Sequence, residues 1–249
     1  MTAILELVGL RKSYGTERAL DGLTLDVRPG EIHAIVGLNG AGKTTLMRAS
    51  VGMLRPDAGE IRVFGGDLDA AGATTWARVG QMIETPLAYR ELTARENLVA
   101  AARLHGLALD AARAAAGAWL DRLDLTHWAE RRSGALSLGN RQRLGLACVL
   151  AHAPELVILD EPTIALDPNG IVLVRDALVA SAAAGAGVLV SSHHLDEVAR
   201  IAHRISVIHA GRVVGTLQPG GVDLEHRFFE MVHAYDAERA AASTRREDA

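Results

Sequence analysis

The sequence predicts an α/β fold, on three observations. Short β-branched or leucine-rich runs, separated by Gly, Asp and Pro, fill the first part of the chain. Alanine-rich stretches with helical spacing occupy the middle, over about residues 93–152. Strand-like runs return after Pro154, so the helical block reads as an insertion into a sheet whose strands alternate with helices.

Taken in order, strands are expected at residues 3–9, 23–27, 32–37 and 61–64. The stretch VGQMIETP, residues 79–86, starts as a strand and carries Gln81 and Glu84, which strand alternation puts on opposite faces. Glu96, Leu98, Arg103 and Leu104, then residues 112–123, carry apolar and charged side chains on alternating helical faces. Later strands are expected at 156–159, 188–191, 205–209 and 213–217, with Gly211 turning the last two into a hairpin. The tail from about Ala237, AERAAASTRREDA, is small and charged and is expected to fray.

Composition narrows the function classes. With 249 residues and 49% apolar side chains the chain can bury a sizeable core, and with 4% aromatics that core must be aliphatic. A net charge of −4 argues against a broad nucleic-acid surface, and no nucleic-acid partner is expected. Cys148 is the single cysteine, which fits a reducing compartment, and it reads as core packing. The opening MTAILELVGLRKSYG does not read as a signal peptide, and no run approaches the ~20 apolar residues of a membrane span. Any membrane role therefore needs a partner.

The chemistry is concentrated in GLNGAGKT, which matches the phosphate-loop pattern G-x-x-x-x-G-K-[ST] in full. A strand precedes it and a helix begins at Thr45. The backbone of Gly37, Leu38, Asn39, Gly40, Ala41 and Gly42 can wrap so that successive N–H groups face phosphate oxygens. Lys43 is then expected to pair with the β- and γ-phosphates and the Thr44 hydroxyl with Mg²⁺. Lys12 and Lys43 are the only lysines among 26 basic residues, which makes a lysine at this position informative. A metal also needs a carboxylate on a neighbouring strand. Asp160 and Glu161 end the apolar run that starts at Leu156, at the carboxyl end of a buried strand, where open α/β sheets bind ligands. Asp160 is expected to be the metal's partner and Glu161 to polarise an attacking water.

The stretch LSLGNRQRLGLA from Leu136 is similar to the LSGGQRQR signature of ATP-binding-cassette (ABC) ATPases, with Leu138 for the first Gly and Asn140 for Gln. The resemblance covers about residues 5–218. By its own chemistry Ser137 is a good helix N-cap, and Gly139 lets a phosphate approach the backbone. The helix that follows spans ~18 Å at 1.5 Å per residue, which holds the signature away from Lys43 and Asp160.

The resemblance implies a phosphate-loop NTPase (RecA-like) core with an antiparallel β-subdomain and an inserted helical subdomain. It places an ATPase domain over 1–222, with the catalytic core in 1–86 and 155–222, the helical subdomain in 87–154, and a C-terminal helix and tail in 223–249. It implies a head-to-tail dimer in which Ser137, Gly139 and Asn140 of each subunit close the other's ATP. Tyr14 matches the aromatic that stacks on adenine. His193 matches the switch histidine at the γ-phosphate, with adjacent His194 as the competing candidate on the opposite strand face. The loop around Asp167 resembles the one that crosses the dimer interface, with Ile164 and Ala165 replacing Ser-Gly. Aligning Val79-Gly80 with the family's Ile-Gly puts Glu84, not Gln81, where a glutamine normally touches Mg²⁺ and senses the permease.

ATP and Mg²⁺ are the implied cofactors. A second ATPase subunit and a separate membrane permease are the implied partners, with the chain peripheral on the cytoplasmic face. About thirty residues follow Gln218, too few for the regulatory barrel of sugar importers. SLGNRQRLGLA, SSHHLDEV and VGQMIETP resemble cassettes of bacterial drug, antibiotic and bacteriocin-peptide exporters. A soluble role such as iron–sulfur cluster assembly is the alternative. A GTPase is disfavoured because no Asn-Lys-x-Asp is present.

Overall fold

The computed structural model describes residues 2–86 and 88–247, with side chains described as far as residue 241. The expected boundary at position 87 and the last two positions of the tail lie outside the described residues.

Two sheets form. The first contains β1 (Leu5–Tyr14), β2 (Glu17–Val27), β4 (Ala58–Val63) and β5 (Gly66–Asp67), antiparallel in the order β2-β1-β4-β5. Strands β1 and β2 are longer than expected because glycines there make bulges rather than turns. Gly9 has φ 61° and Gly22 φ 79°, and the β1–β2 register shifts between Leu7 and Leu10. Gly9 N–H donates to Thr24 Oγ1 at 2.9 Å, which keeps the bulged backbone satisfied.

The second sheet has six strands: β3 (Ile32–Val36), β6 (Val79–Met82), β7 (Leu156–Leu159), β8 (Gly187–Ser192), β9 (Arg204–His209) and β10 (Arg212–Leu217), in the order β10-β9-β3-β8-β7-β6. All neighbours are parallel except β10, which returns antiparallel on β9. Strands β3, β7 and β8 are buried at every position, as continuous apolar runs in a doubly covered parallel sheet should be. The expected hairpin at Gly211 is present. Ala210 and Gly211 both have positive φ, 47° and 73°, and His209 pairs with Arg212, which is the two-residue turn that matches strand twist.

Helices α1 (Lys43–Ser50), α2 (Ala73–Trp76), α6 (Pro168–Ala183) and α7 (Leu195–Ala199) join these strands. Between β6 and β7 lies the inserted block: α3 (Ala94–Leu104), α4 (Leu109–Arg122) and α5 (Leu138–Leu150). Thr93 and Glu96 form a reciprocal capping box at the start of α3. Leu98, Ala116, Leu120, Leu144 and Ala147 pack together inside it, and Cys148 is buried with them, its thiol pushed up to about 12 by burial. The chain after Leu217 forms α8 (Leu224–Glu247), so the stretch expected to fray continues as helix to Glu247. Its Ala, Glu and Arg content favours helix even without packing.

Candidate functional site

The phosphate loop leaves β3 at Val36 and enters α1 at Lys43. Its backbone is pinned from behind, so only glycine fits at two positions. A Cβ on Gly37 would come within 2.3 Å of the Ile208 carbonyl, and one on Gly42 (φ 104°) within 2.3 Å of the Ala19 carbonyl. The Ala41 carbonyl accepts from Gly211 N–H at 3.0 Å, tying the loop to the β9–β10 turn. Leu38, Asn39 and Gly40 are exposed at the tip, while Thr44 and Thr45 are half-buried in the first turn of α1. No side chain caps α1. Lys43 is only 8% exposed, and its Nζ donates to the Gly37 carbonyl at 2.7 Å and the Leu38 carbonyl at 3.4 Å. Burial lowers its pKa, against the pull of Glu161 and Asp160.

Asp160 sits just past the end of β7. Thr44 Oγ1 donates to its Oδ2 at 2.7 Å, and Ser191 Oγ donates to its Oδ1 at 2.5 Å. Ser191 Oγ in turn accepts from Glu161 N–H at 2.9 Å. Glu161 has φ 50°, a left-handed conformation that turns its side chain away from the β7 direction. Its Oε2 lies 2.6 Å from His193 Nδ1 and accepts from His193 N–H at 3.3 Å. A cleft of about 800 Å³ opens beside Glu161 and His193 and is bounded by Leu38, Asn39, Glu161, Ile164, His193 and Phe228.

The residues fit the two implied cofactors. A hydroxyl and a carboxylate 2.7 Å apart offer hard oxygens to a divalent cation such as Mg²⁺. A buried ammonium held by neutral carbonyls would gain from the charged oxygens of a phosphate.

Two expectations need correction here. His193 and His194 do not lie on opposite faces: their rings are 3.9 Å apart at 45° and both are exposed. Strand β8 ends at Ser192, so alternation no longer applies, and the Ser192 hydroxyl turns the chain by accepting from His194 N–H at 2.9 Å. His193 is the one that reaches Glu161. Likewise Glu84 lies beyond β6 with φ 68°, so its direction is set by that turn and not by pairing with Gln81. Its carboxylate pairs with Arg48, with Arg48 Nη2 to Glu84 Oε2 at 2.5 Å. Gln81 stays half-buried in the edge strand.

The signature segment stands apart from the cleft. Ser137 caps α5 by accepting from Asn140 N–H at 3.2 Å. A Cβ on Gly139 would lie 3.0 Å from the Ala165 carbonyl. The Asn140 side chain, a nucleotide contact by resemblance alone, is turned inward: the residue is 9% exposed and its Oδ1 accepts from Arg143 Nη2 at 2.5 Å. Ser137, Gly139 and Asn140 do not border the cleft. Yet α5 is not remote from the acids, because Gln142 Nε2 donates to the Pro162 carbonyl at 3.2 Å. Tyr14 is half-exposed at the end of β1, with the Lys12 ammonium 5.9 Å from its ring centre. Ala165 has φ 61° where the resemblance expects glycine, so the interface loop keeps its left-handed turn without the residue that favours it.

The structure thus gathers Lys43, Thr44, Asp160, Glu161 and His193, and leaves Tyr14, Glu84, Ser137, Gly139 and Asn140 outside that cluster. Ser191, Arg48 and Phe228 were missed. Only Ser191 had a signal, as one of the paired serines just before the paired histidines.

The sequence profile of the ABC transporter family matches residues 20–164. The chain is 42% identical over 206 residues to a daunorubicin resistance ATP-binding protein from Streptomyces coeruleorubidus, covering 83% of this chain and 65% of that one. It is 38% identical over 220 residues to a bacitracin transport ATP-binding protein from Bacillus licheniformis, covering 86% and 69%. The chain thus spans about two thirds of the length of these relatives. A solved ATP-binding subunit of an ABC transporter superposes with a TM-score of 0.81 at 31% identity, covering 92% of this chain and 94% of that one.

Proposed function

This chain belongs to the ABC transporter family of ATP-binding proteins, and from that premise we propose that it is the ATP-hydrolysing subunit of a membrane exporter. The observation that carries the reading is the contact chain Thr44–Asp160–Ser191–Glu161–His193, which joins a phosphate loop to a metal-type carboxylate and an oriented base. Lys43 and the loop amides hold the phosphates of ATP. Thr44 and Asp160 would hold Mg²⁺, which would supply positive charge beside the phosphates. Glu161 takes the proton of the attacking water, and His193 fixes which way its carboxylate faces.

Transport is supported by what the relatives are named for, bacitracin transport and daunorubicin resistance. On that basis the cargo is a drug, antibiotic or peptide. A soluble role in iron–sulfur assembly has no such support. No helix among the described residues is long and apolar enough to cross a membrane. In this reading a permease carries the cargo, and the chain lies against it on the cytoplasmic face. An apolar groove of about 340 Å³, between β6 and the inserted helices, gives that permease a seat beside Gln81, Pro86, Tyr89 and Leu104. In this reading the signature of a second copy closes the ATP site, head to tail.

The test is phosphate release by the purified chain with Mg²⁺ and ATP. Wild type turns over, and Glu161→Gln binds ATP but loses turnover by about 10²-fold or more. Equal turnover in both refutes the role of Glu161, and no ATP binding by wild type refutes the reading.

A further inference from the structure

Glu84 presents a problem that the ATPase reading leaves open. It stands where the resemblance expects a neutral glutamine, and a second free carboxylate near the phosphates would repel them whenever no metal lies between. The structure supplies a counter-charge. Arg48 is four residues after Thr44 on α1, so both side chains lie on one face, and a helical side chain covers the turn before its own Cα. The guanidinium therefore runs back toward the turn that bears Thr44, where it meets Glu84 at 2.5 Å. Its pKa is raised, first by the hydrogen bond to Glu84, with the charges of Glu84, Tyr14 and Asp160 adding to the pull.

We propose that Arg48 is a positioning residue for the nucleotide site, holding the Glu84 carboxylate one helical turn from Thr44 and yielding it when a divalent cation sits at Thr44 and Asp160. The pair is suited to exchange. Both side chains are well exposed, 40% and 52%, and an ion pair in water is a weak bond that a divalent charge can outcompete. Glu84 takes its direction from a left-handed backbone turn just past β6, with φ 68°. The carboxylate is thereby neutralised in the metal-free site and available in the loaded one.

This rests on the ATPase reading, and equilibrium binding separates the two. Binding of a fluorescent ATP analogue is measured in EDTA and in a Mg²⁺ titration, for wild type, Arg48→Gln, Glu84→Gln and the double variant, with circular dichroism to check folding. Arg48→Gln is expected to weaken metal-free binding about threefold and to lower the Mg²⁺ needed for half-saturation about threefold. In the Glu84→Gln background, Arg48→Gln is expected to lose both effects, because the carboxylate it acts through is gone. The same response to Arg48→Gln in both backgrounds, or none in either, overturns the role of Arg48 while leaving the ATPase reading intact. Should Arg48→Gln fail to fold, Arg48→Lys, which keeps the charge and loses the planar fork, is expected to keep the metal-free affinity of wild type, and a threefold loss there overturns the proposal. Failure of wild type to bind the analogue under any condition overturns both.

Discussion

Lys43 is held between opposing influences: burial disfavours its charge, and two carboxylates favour it. Its donors rest on the loop's own carbonyls, so the phosphates of ATP would replace neutral acceptors with charged ones. Lys43→Ala is accordingly predicted to weaken ATP binding by about tenfold or more and to abolish turnover, measured by calorimetry and phosphate release. Undiminished turnover in that variant contradicts the assignment. At this scale the sequence was legible where motif and chemistry coincide, as at Lys43, Thr44, Asp160 and Glu161. It was not legible where a side chain's direction depends on backbone turning. Alternation was the right rule for Gln81, inside a strand, and the wrong one for Glu84 and His194, which lie beyond strand ends. The partners of Ser191 and Arg48 were not legible for a different reason, since each meets a residue more than thirty positions away that only the fold brings near.

The elements themselves follow from burial and punctuation. Fully buried parallel strands announce themselves as apolar runs, and β3, β7 and β8 were read almost to the residue. Strands β1 and β2 were read short, because a bulge glycine and a turn glycine look alike in sequence. One contact between elements makes a separate prediction. His105, at the end of α3, stacks on His152, just past α5, with ring centres 3.7 Å apart. Burial, together with the neighbouring His105 ring, holds His152 down to about 4 from the ordinary 6.5. The folded-state value is the lower one, so between those values the unfolded chain binds the extra proton. The stability is therefore fully present above about pH 6.5 and is lost as pH falls toward 4. His152→Phe, which keeps a flat ring and removes the proton site, is predicted to shrink the loss of stability over that window by on the order of 2 kcal/mol. Parallel stability–pH curves for variant and wild type in denaturant titrations contradict this.

Across the whole molecule, the cleft is built by four distant segments and is open on one side. Its far wall is α8, whose Phe228 packs beside the switch region, so the stretch expected to hold only a helix and frayed tail contributes to the site. The signature is not among its walls, and a Cβ on Gly139 would meet the Ala165 carbonyl of the interface loop instead. Exposed Leu38, Leu138 and Ile164 stand at the phosphate loop, the signature and the interface loop, where a second copy would cover them. The central claim is that two copies share their ATP sites, and sedimentation of Glu161→Gln tests it most directly. That variant is expected to bind ATP without hydrolysing it, so it is predicted to sediment as a dimer with Mg²⁺ and saturating ATP, as a monomer without nucleotide, and again as a monomer with ATP when Ser137→Arg is added. A Glu161→Gln chain that is saturated with ATP, and still sediments only as a monomer, contradicts the account.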